Sequence, residues 1–204
     1  MAELGFRGVT VTLMAPDGAD MSGASSDDDI SKLQELQFVL GEGPTSDAYT
    51  SSRPVLVSDL TRTGGRWVAF AGAASAEEIR AVHAFPLQLG AARLGVLTCY
   101  SSLARTLESQ EVARCLTFAE LARDLLLDAV AEDGRTGHEV EESLQIRGEV
   151  YQVQGMLMVE LGVSLADALT RLRAMAYSEG LDINDLAADL VSRRRPMPTR
   201  IDGA

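Results

Sequence analysis

Few side chains in this sequence belong to the types that carry out covalent or metal chemistry, and their spacing keeps them apart. His83 and His138 stand alone, and Cys99 and Cys115 form no C-x-x-C pair. Neither a zinc site nor a disulfide framework is indicated, and both cysteines read as small core residues. His83, close to Phe85, has no second ligand at helical or strand spacing and so gives no haem or metal site. The acidic run Asp27-Asp28-Asp29 follows Ser25-Ser26 and precedes a helical pattern. Carboxylates there favour the positive end of a helix dipole, which makes the run a solvated cap rather than a metal cluster. The sequence has no G-x-S-x-G elbow, Walker loop or H-E-x-x-H motif. No enzymatic activity, cofactor or metal is therefore expected. Two features suit either a binding site or a plain structural role, the structural role being the commoner for such residues. Gly41-Glu42-Gly43-Pro44 either shapes the lip of a pocket or satisfies backbone geometry, and its spacing is not that of a phosphate loop. Trp67, Phe70 and Phe85 suit either the lining of a small-molecule cavity or a core.

The elements that must position these residues fall into two textures. In the first 130 residues, Gly8–Ala15, Pro54–Val57, Ala81–Leu89 and Leu94–Tyr100 read as strands, with Gly90-Ala91-Ala92-Arg93 suited to a hairpin turn between the last two. Ser31–Phe38 is a short helical pattern, and Glu108–Val130 is a longer one with Val112, Leu116, Ala119, Ala122 or Arg123, and Leu126 on one side. An antiparallel sheet with flanking helices, an α+β architecture, accommodates these elements.

The remainder reads as three helices. Ile146, Val150, Val153, Leu157 and Leu161 line one face of the first, while Val140, Leu144, Tyr151 and Met158 form a second stripe. A helix with two apolar faces has to bury both, so a partner helix outside the bundle is expected. Ser164-x-x-Asp167 is an N-terminal capping pattern leading into Leu165, Leu169, Leu172 and Ala176; Asp182 caps a third helix with Ile183, Leu186, Ala187, Leu190 and Val191 on its buried side. Arg193-Arg194-Arg195 suits the negative end of that helix before Pro196 stops it. Gly155 inside the first helix costs roughly 1 kcal/mol against Ala, a cost that close approach of another helix or of a ligand would explain.

Charge bounds the partners. The net charge is −12, divided between −8 for residues 1–138 and −4 for residues 139–204. Any grip on nucleic acid must then rest on a local patch and on shape, not on the average field. No segment approaches the roughly 18 uncharged apolar residues of a membrane span, and the N-terminal stretch Met1–Arg7 is no signal peptide. A cytoplasmic protein that does not engage a membrane is expected.

Two families are recognisable. Val150-x-Gln152-Val153-Gln154-Gly155-x-Leu157-Met158 resembles the I-x-Q-A-K-G-x-L-M signature of the ANTAR domain, with Val at 153 in place of Ala and Gln at 154 in place of Lys. Ala168-Leu169-x-x-Leu172-Arg173-x-x-Ala176 is similar to that family's A-F-x-x-L-R-x-x-A, and Leu181 with Leu186-Ala187-x-x-Leu190-Val191 to its third-helix ending. Earlier in the chain, Gln37–Thr45 with Ala48, Arg53-Pro54-Val55-x-Val57-x-Asp59-Leu60, Arg66-Trp67, Phe85-Pro86-Leu87 and Leu94-Gly95-Val96-Leu97 resemble a GAF sensor domain, most like the actinobacterial type that precedes ANTAR. Thr45 stands where such domains often carry Cys, and the helix that normally precedes the first strand is missing or reduced to Ala2–Gly5.

The resemblance implies a GAF-like sensor over 5–130, a linker over 131–138 and a three-helix RNA-binding ANTAR domain over 139–198. It further implies a homodimeric transcription antitermination regulator, in which two modules hold two RNA hairpins of a nascent transcript and the sensor takes an unidentified small molecule. On that reading Arg147 and Arg173 meet phosphate, Gln152 and Gln154 hydrogen-bond sugar or base edges beside Gly155, and Tyr177 stacks on an unpaired base or is a half-buried helix-end aromatic. The alternative is a dimerising signalling or protein-interaction module whose ANTAR domain has lost RNA affinity, consistent with Gln154 in place of Lys.

Overall fold

Strand alternation divides the first part of the chain between two cores. Gly8–Met14 (β1), Asp20–Ser25 (β2), Val55–Val57 (β3), Ala81–Leu89 (β4) and Ala92–Ser101 (β5) form one antiparallel sheet in the order β2-β1-β5-β4-β3. The computed structural model describes residues 5–14, 20–132 and 137–198, and within them the side chains outside 20–22, 129–132 and 137–147. The β4–β5 hairpin closes on Gly90-Ala91 alone, since Leu89 already pairs with Ala92. That is a tighter turn than the four-residue span read from the sequence. Gly23 and Ser22 of the unanticipated β2 pair with Thr12 and Leu13 at the sheet edge.

One face of the sheet is covered by Asp28–Leu40 (α1), Pro44–Ser51 (α2) and Val68–Ala76 (α3). Its core contains Ile30, Leu33, Trp67, Phe70, Val82 and Tyr100, with Met14, Ala48, Tyr49, Ala84 and Val96 alongside. Asp27 caps α1 by accepting a hydrogen bond from the Ile30 N–H at 3.0 Å, as the acidic run suggested. The opposite face is covered by Ser109–Glu132 (α4), which packs Cys115 and Ala119, with Val112, Ala122 and Leu126, onto Phe85, Leu87, Leu97 and Cys99. Here Cys115 is buried and Leu116 turns outward, because 115, 119, 122 and 126 keep a truer helical spacing than the face read from the sequence.

The turn Gly41-Glu42-Gly43-Pro44 is accounted for by backbone geometry. Gly41, at φ 67°, ends α1 in the left-handed region and donates its N–H to the Phe38 carbonyl. Gly43, at φ 146°, precedes Pro44 in the first turn of α2, and the Gln37 side chain lies where its Cβ would be. The Glu42 carboxylate accepts hydrogen bonds from the N–H groups of Ala69 and Phe70 at 2.9 and 3.1 Å, so it caps α3 from a distance in sequence.

The chain divides into two compact units, Met1–Gly137 and His138–Ala204. The second contains all but the first residue of Gly137–Leu161 (α5), together with Leu165–Glu179 (α6) and Ile183–Val191 (α7). Ser164 accepts from the Asp167 N–H at 3.1 Å and Asp182 from the Asn184 N–H at 2.7 Å, so both expected caps form. Val150, Val153, Leu157, Leu169, Leu172, Ile183, Leu186 and Leu190 bury together as the core of the unit. Tyr151 and Met158 of the second stripe are half-buried. Val140, Leu144, Ile146, the Ala2–Gly5 segment up to residue 4 and the centre of the linker at 133–136 lie outside the described residues or side chains. The arginine triplet lies past the end of α7 instead of within its last turn: Arg194 pairs with Asp189 at 2.8 Å and Arg195 pairs with Glu179. Among the described residues, no single helix is long and apolar enough to cross a membrane.

His83 lies on the α4 face, 1% exposed, with both ring nitrogens lacking a hydrogen-bond partner and the Phe6 ring edge-on at 6.1 Å. Burial, and then the positive charge of Arg105, lower its pKa from 6.5 to about 4. Between those values the unfolded chain binds a proton here that the folded chain does not. The stability tied to His83 is therefore full above pH 6.5 and lost as pH falls through about 4. We expect His83→Leu to remove that loss, so that its stability advantage over wild type in urea unfolding grows by about 3 kcal/mol between pH 7 and pH 4. Parallel pH profiles for the two proteins would show that another group carries the dependence.

Candidate functional site

In the helical unit, adjacent residues of α5 have opposite surroundings. Gln154 is 2% exposed, and its Nε2 donates to the Leu165 carbonyl at 2.9 Å, fastening α5 to the first turn of α6. A neutral amide can make that bond without burying a charge. Gly155, the next residue, has open space where a Cβ would project. Helix packing within the unit therefore gives no reason for a glycine there.

Gly155 lies with Gln152, Met156, Val159, Glu160 and Met197 along an open groove of about 480 Å³. Residues 152, 156 and 159 recur at helical spacing on one side of α5, opposite Val150, Val153 and Leu157. Val159 is 75% exposed, an apolar side chain with no core to enter. The sequence reading singled out Gln152 and Gly155 and passed over Met156, Val159, Glu160 and Met197. The first three were legible as the continuation of that face; Met197 was not, because it arrives from beyond α7.

The remaining expected contacts are distributed unevenly. Arg173 is half-buried on α6, and Tyr177, one turn further on, is 81% exposed, so the half-buried alternative for this tyrosine does not hold. The side chain of Arg147 lies outside the described residues. Of the six residues expected to meet RNA, then, Gln152 and Gly155 share a groove, Arg173 and Tyr177 share a face of α6, and Gln154 is part of the core between the two helices.

In the sensor unit, Trp67, Phe70 and Phe85 do not line one cavity. Trp67 and Phe70 pack on the α1–α3 face of the sheet, while Phe85 packs on the α4 face. Strand alternation is the reason: Phe85 shares a side with Leu87, and Ala84 takes the other. The polar centre on the α1–α3 face was not anticipated. The Gln37 Nε2 donates to the Tyr100 hydroxyl at 3.0 Å, and the Thr45 N–H donates to the Gln37 Oε1 at 2.9 Å. The Thr45 and Thr98 hydroxyls meet at 2.9 Å, and Gln34 Oε1 accepts from Thr10, Thr45 and Tyr100 at 3.4 Å. All six residues are buried. The network joins the Trp67 and Phe70 cluster through Tyr100. Its residues come from β1, α1, α2 and β5, so no local motif marks it; Thr45, noted as replacing a cysteine, was the only sequence signal.

The family model for the GAF domain matches residues 1–126, and that for the ANTAR domain matches residues 138–191. No curated protein matches the chain. Among solved structures, a domain of a protein named for a two-component sensor histidine kinase from Sinorhizobium meliloti 1021 is similar with a TM-score of 0.53 at 17% identity, over 66% of this chain and 88% of that one. The GAF domain region of a membrane protein from Geobacter sulfurreducens PCA is similar with a TM-score of 0.46 at 13% identity, over 61% and 83%. The GAF domain of an Acinetobacter phosphoenolpyruvate-protein phosphotransferase gives 0.45 at 10% identity, over 64% and 76%. At such identities the first of these likenesses shows the fold of the sensor unit and nothing finer.

The Gln154 amide generates a prediction. Replacing Gln154 with Ala removes the bond to Leu165 and leaves a void between α5 and α6, which we expect to destabilise the helical unit by about 1–3 kcal/mol. Thermal unfolding followed by circular dichroism measures this. A variant as stable as wild type would mean that the amide is available to a ligand instead.

Proposed function

The chain belongs to the GAF domain family and carries an ANTAR domain after it, and from that premise we propose that it is an RNA-binding transcription antitermination regulator. GAF and ANTAR are sensing and regulatory domains, not typical catalytic ones, which fits a non-enzyme. On this reading the protein works as a homodimer in the cytoplasm, with each helical unit engaging a hairpin of a nascent transcript. The buried polar centre around Gln34, Gln37, Thr45, Thr98 and Tyr100 is the region of the sensor where a small polar molecule could exchange hydrogen bonds with the protein. Leu121 and Leu125, one turn apart on α4 and 53% and 70% exposed, suit contact with a second copy.

One observation carries the RNA reading, namely the open space over Gly155 beside the exposed Gln152. A glycine in mid-helix costs roughly 1 kcal/mol, and among the described residues of the unit none comes close enough to require it. Close approach of a sugar-phosphate backbone does, with Gln152 at hand to bond it and with Arg173 and Tyr177 supplying a cation and a stacking face. The second reading, a protein-interaction module, is favoured by the lining of the same groove, in which Met156, Val159 and Met197 are apolar and Glu160 is acidic.

The two readings separate on one substitution. Gly155→Ala is expected to raise the stability of the helical unit by up to roughly 1 kcal/mol. If RNA lies against this surface, the same change weakens binding of a two-hairpin RNA severalfold, as measured by filter binding or fluorescence anisotropy. Arg173→Ala should weaken all hairpins alike and lower the salt slope by about one. Wild-type affinity no greater than that for an unrelated duplex would end the RNA reading and leave the interaction module.

A further inference from the structure

Cys99 and Cys115 are sixteen positions apart in sequence and pack into the same core cluster. Cys99 lies on β5 and Cys115 in the second turn of α4, and both are fully buried in the same cluster. Directly across the β4–β5 pair from Cys99 is His83, on the same side of the sheet. Its two unpartnered nitrogens are the second feature of this spot that packing alone does not explain. A buried imidazole without hydrogen bonds costs free energy, and two apolar residues would fill the cysteine positions without polar contact. Two thiols in one buried cluster, with an unsatisfied imidazole across the strand pair from one of them, form an arrangement suited to sulfur oxidation.

We propose that Cys99 and Cys115 are a reversible dithiol–disulfide pair, oxidised by a hydroperoxide to an intramolecular bond that ties β5 to α4. The direction of attack follows from the surroundings of the sulfurs. The neighbouring Cys99 thiol lowers the pKa of Cys115, helped by the charges of Arg105 and Arg114, while the Cys115 sulfur and burial push the Cys99 thiol up. The Cys115 thiolate attacks one peroxide oxygen, so that an S–O bond forms, the O–O bond breaks and hydroxide leaves to take up a proton as water. The Cys99 sulfur then attacks the Cys115 sulfenic acid, the S–S bond forms, and the displaced hydroxide leaves as water with the Cys99 proton. In sum, two thiols lose two electrons to one peroxide, which becomes two waters. His83, neutral at physiological pH because its pKa is about 4, can donate one N–H to the departing oxygen.

The inference concerns the sensor unit alone and does not depend on RNA. The test treats the folded full-length protein with hydrogen peroxide and follows free thiols and intact mass. The expected result is loss of both thiols with a mass lower by about 2 Da, reversed by dithiothreitol. After trypsin without reduction, the peptides Leu94–Arg105 and Cys115–Arg123 should appear joined. In Cys99→Ala the reaction should stop at a Cys115 sulfenic acid that dimedone traps, and in Cys115→Ala Cys99 should not react. Thiols that react only in urea, a disulfide between two chains, or direct passage to sulfinic acid would overturn the proposal. The wild-type result decides even if a variant fails to fold.

Discussion

The central position of β5 constrains everything else in the sensor unit. With β1 on one side and β4 on the other, and helices over both faces, the run from Gly95 to Ser101 is buried throughout, and each residue must serve whichever core its parity assigns. Thr98 and Tyr100 face α1 and α2, where they meet Gln34, Gln37 and Thr45 in a satisfied polar network. Leu97 and Cys99 face α4, where the cluster is mostly apolar but also holds a second thiol and, across the strand pair, an imidazole. A slip of one residue in the β4–β5 register would send the hydroxyls into the apolar core and the thiol into the polar one. The chemistry available on each face thus follows from the pairing of the strands.

In the helical unit the corresponding constraint is how α5 divides its circumference. Three of its described positions bury completely against α6 and α7, and Gln154 joins them by bonding the start of α6. This changes the meaning of the residue that departs from the family pattern. At an exposed position, Gln in place of Lys would remove a cation from the surface. At a position 2% exposed the neutral amide spares the helix junction a buried charge, so the substitution says little about affinity for a phosphate backbone. The exposed neighbour Gln152 and the open surface at Gly155 bear on that affinity instead.

Much of the fold was legible, and what was not has identifiable causes. The strands β1, β4 and β5 carry β-branched and alternating residues, and the caps at Asp27, Ser164 and Asp182 are local signals that need only their own helix. Strand β2, Asp20–Ser25, has the composition of a loop and is a strand only because β1 offers its edge. The α3 segment Val68–Ala76 is made of small apolar residues with no amphipathic period, and its first turn is capped by Glu42, which no local reading connects to it. The site residues divide in the same way. Gln152 and Gly155 were legible through the local ANTAR-like signature, whereas the polar network, the shared cluster of the two cysteines and the separation of Phe85 from Trp67 depend on which strands pair.

Electrostatics then sets what kind of recognition the helical unit can perform. Of its basic residues, Arg194 and Arg195, which look in sequence like a cationic patch, are paired with Asp189 and Glu179. Such surface pairs add little to stability, yet they lower the local charge that a phosphate would meet. Arg173 is half-buried, and the groove on α5 includes Glu160. A surface so composed, in a chain of net charge −12, gains little from counterion release and has to discriminate by fit. Fit depends on how closely two backbones can approach, and among the described residues nothing stands within 4 Å of where a side chain at position 155 would begin. On the proposed RNA reading, the glycine rather than the arginines is therefore the feature through which this unit would distinguish one folded partner from another.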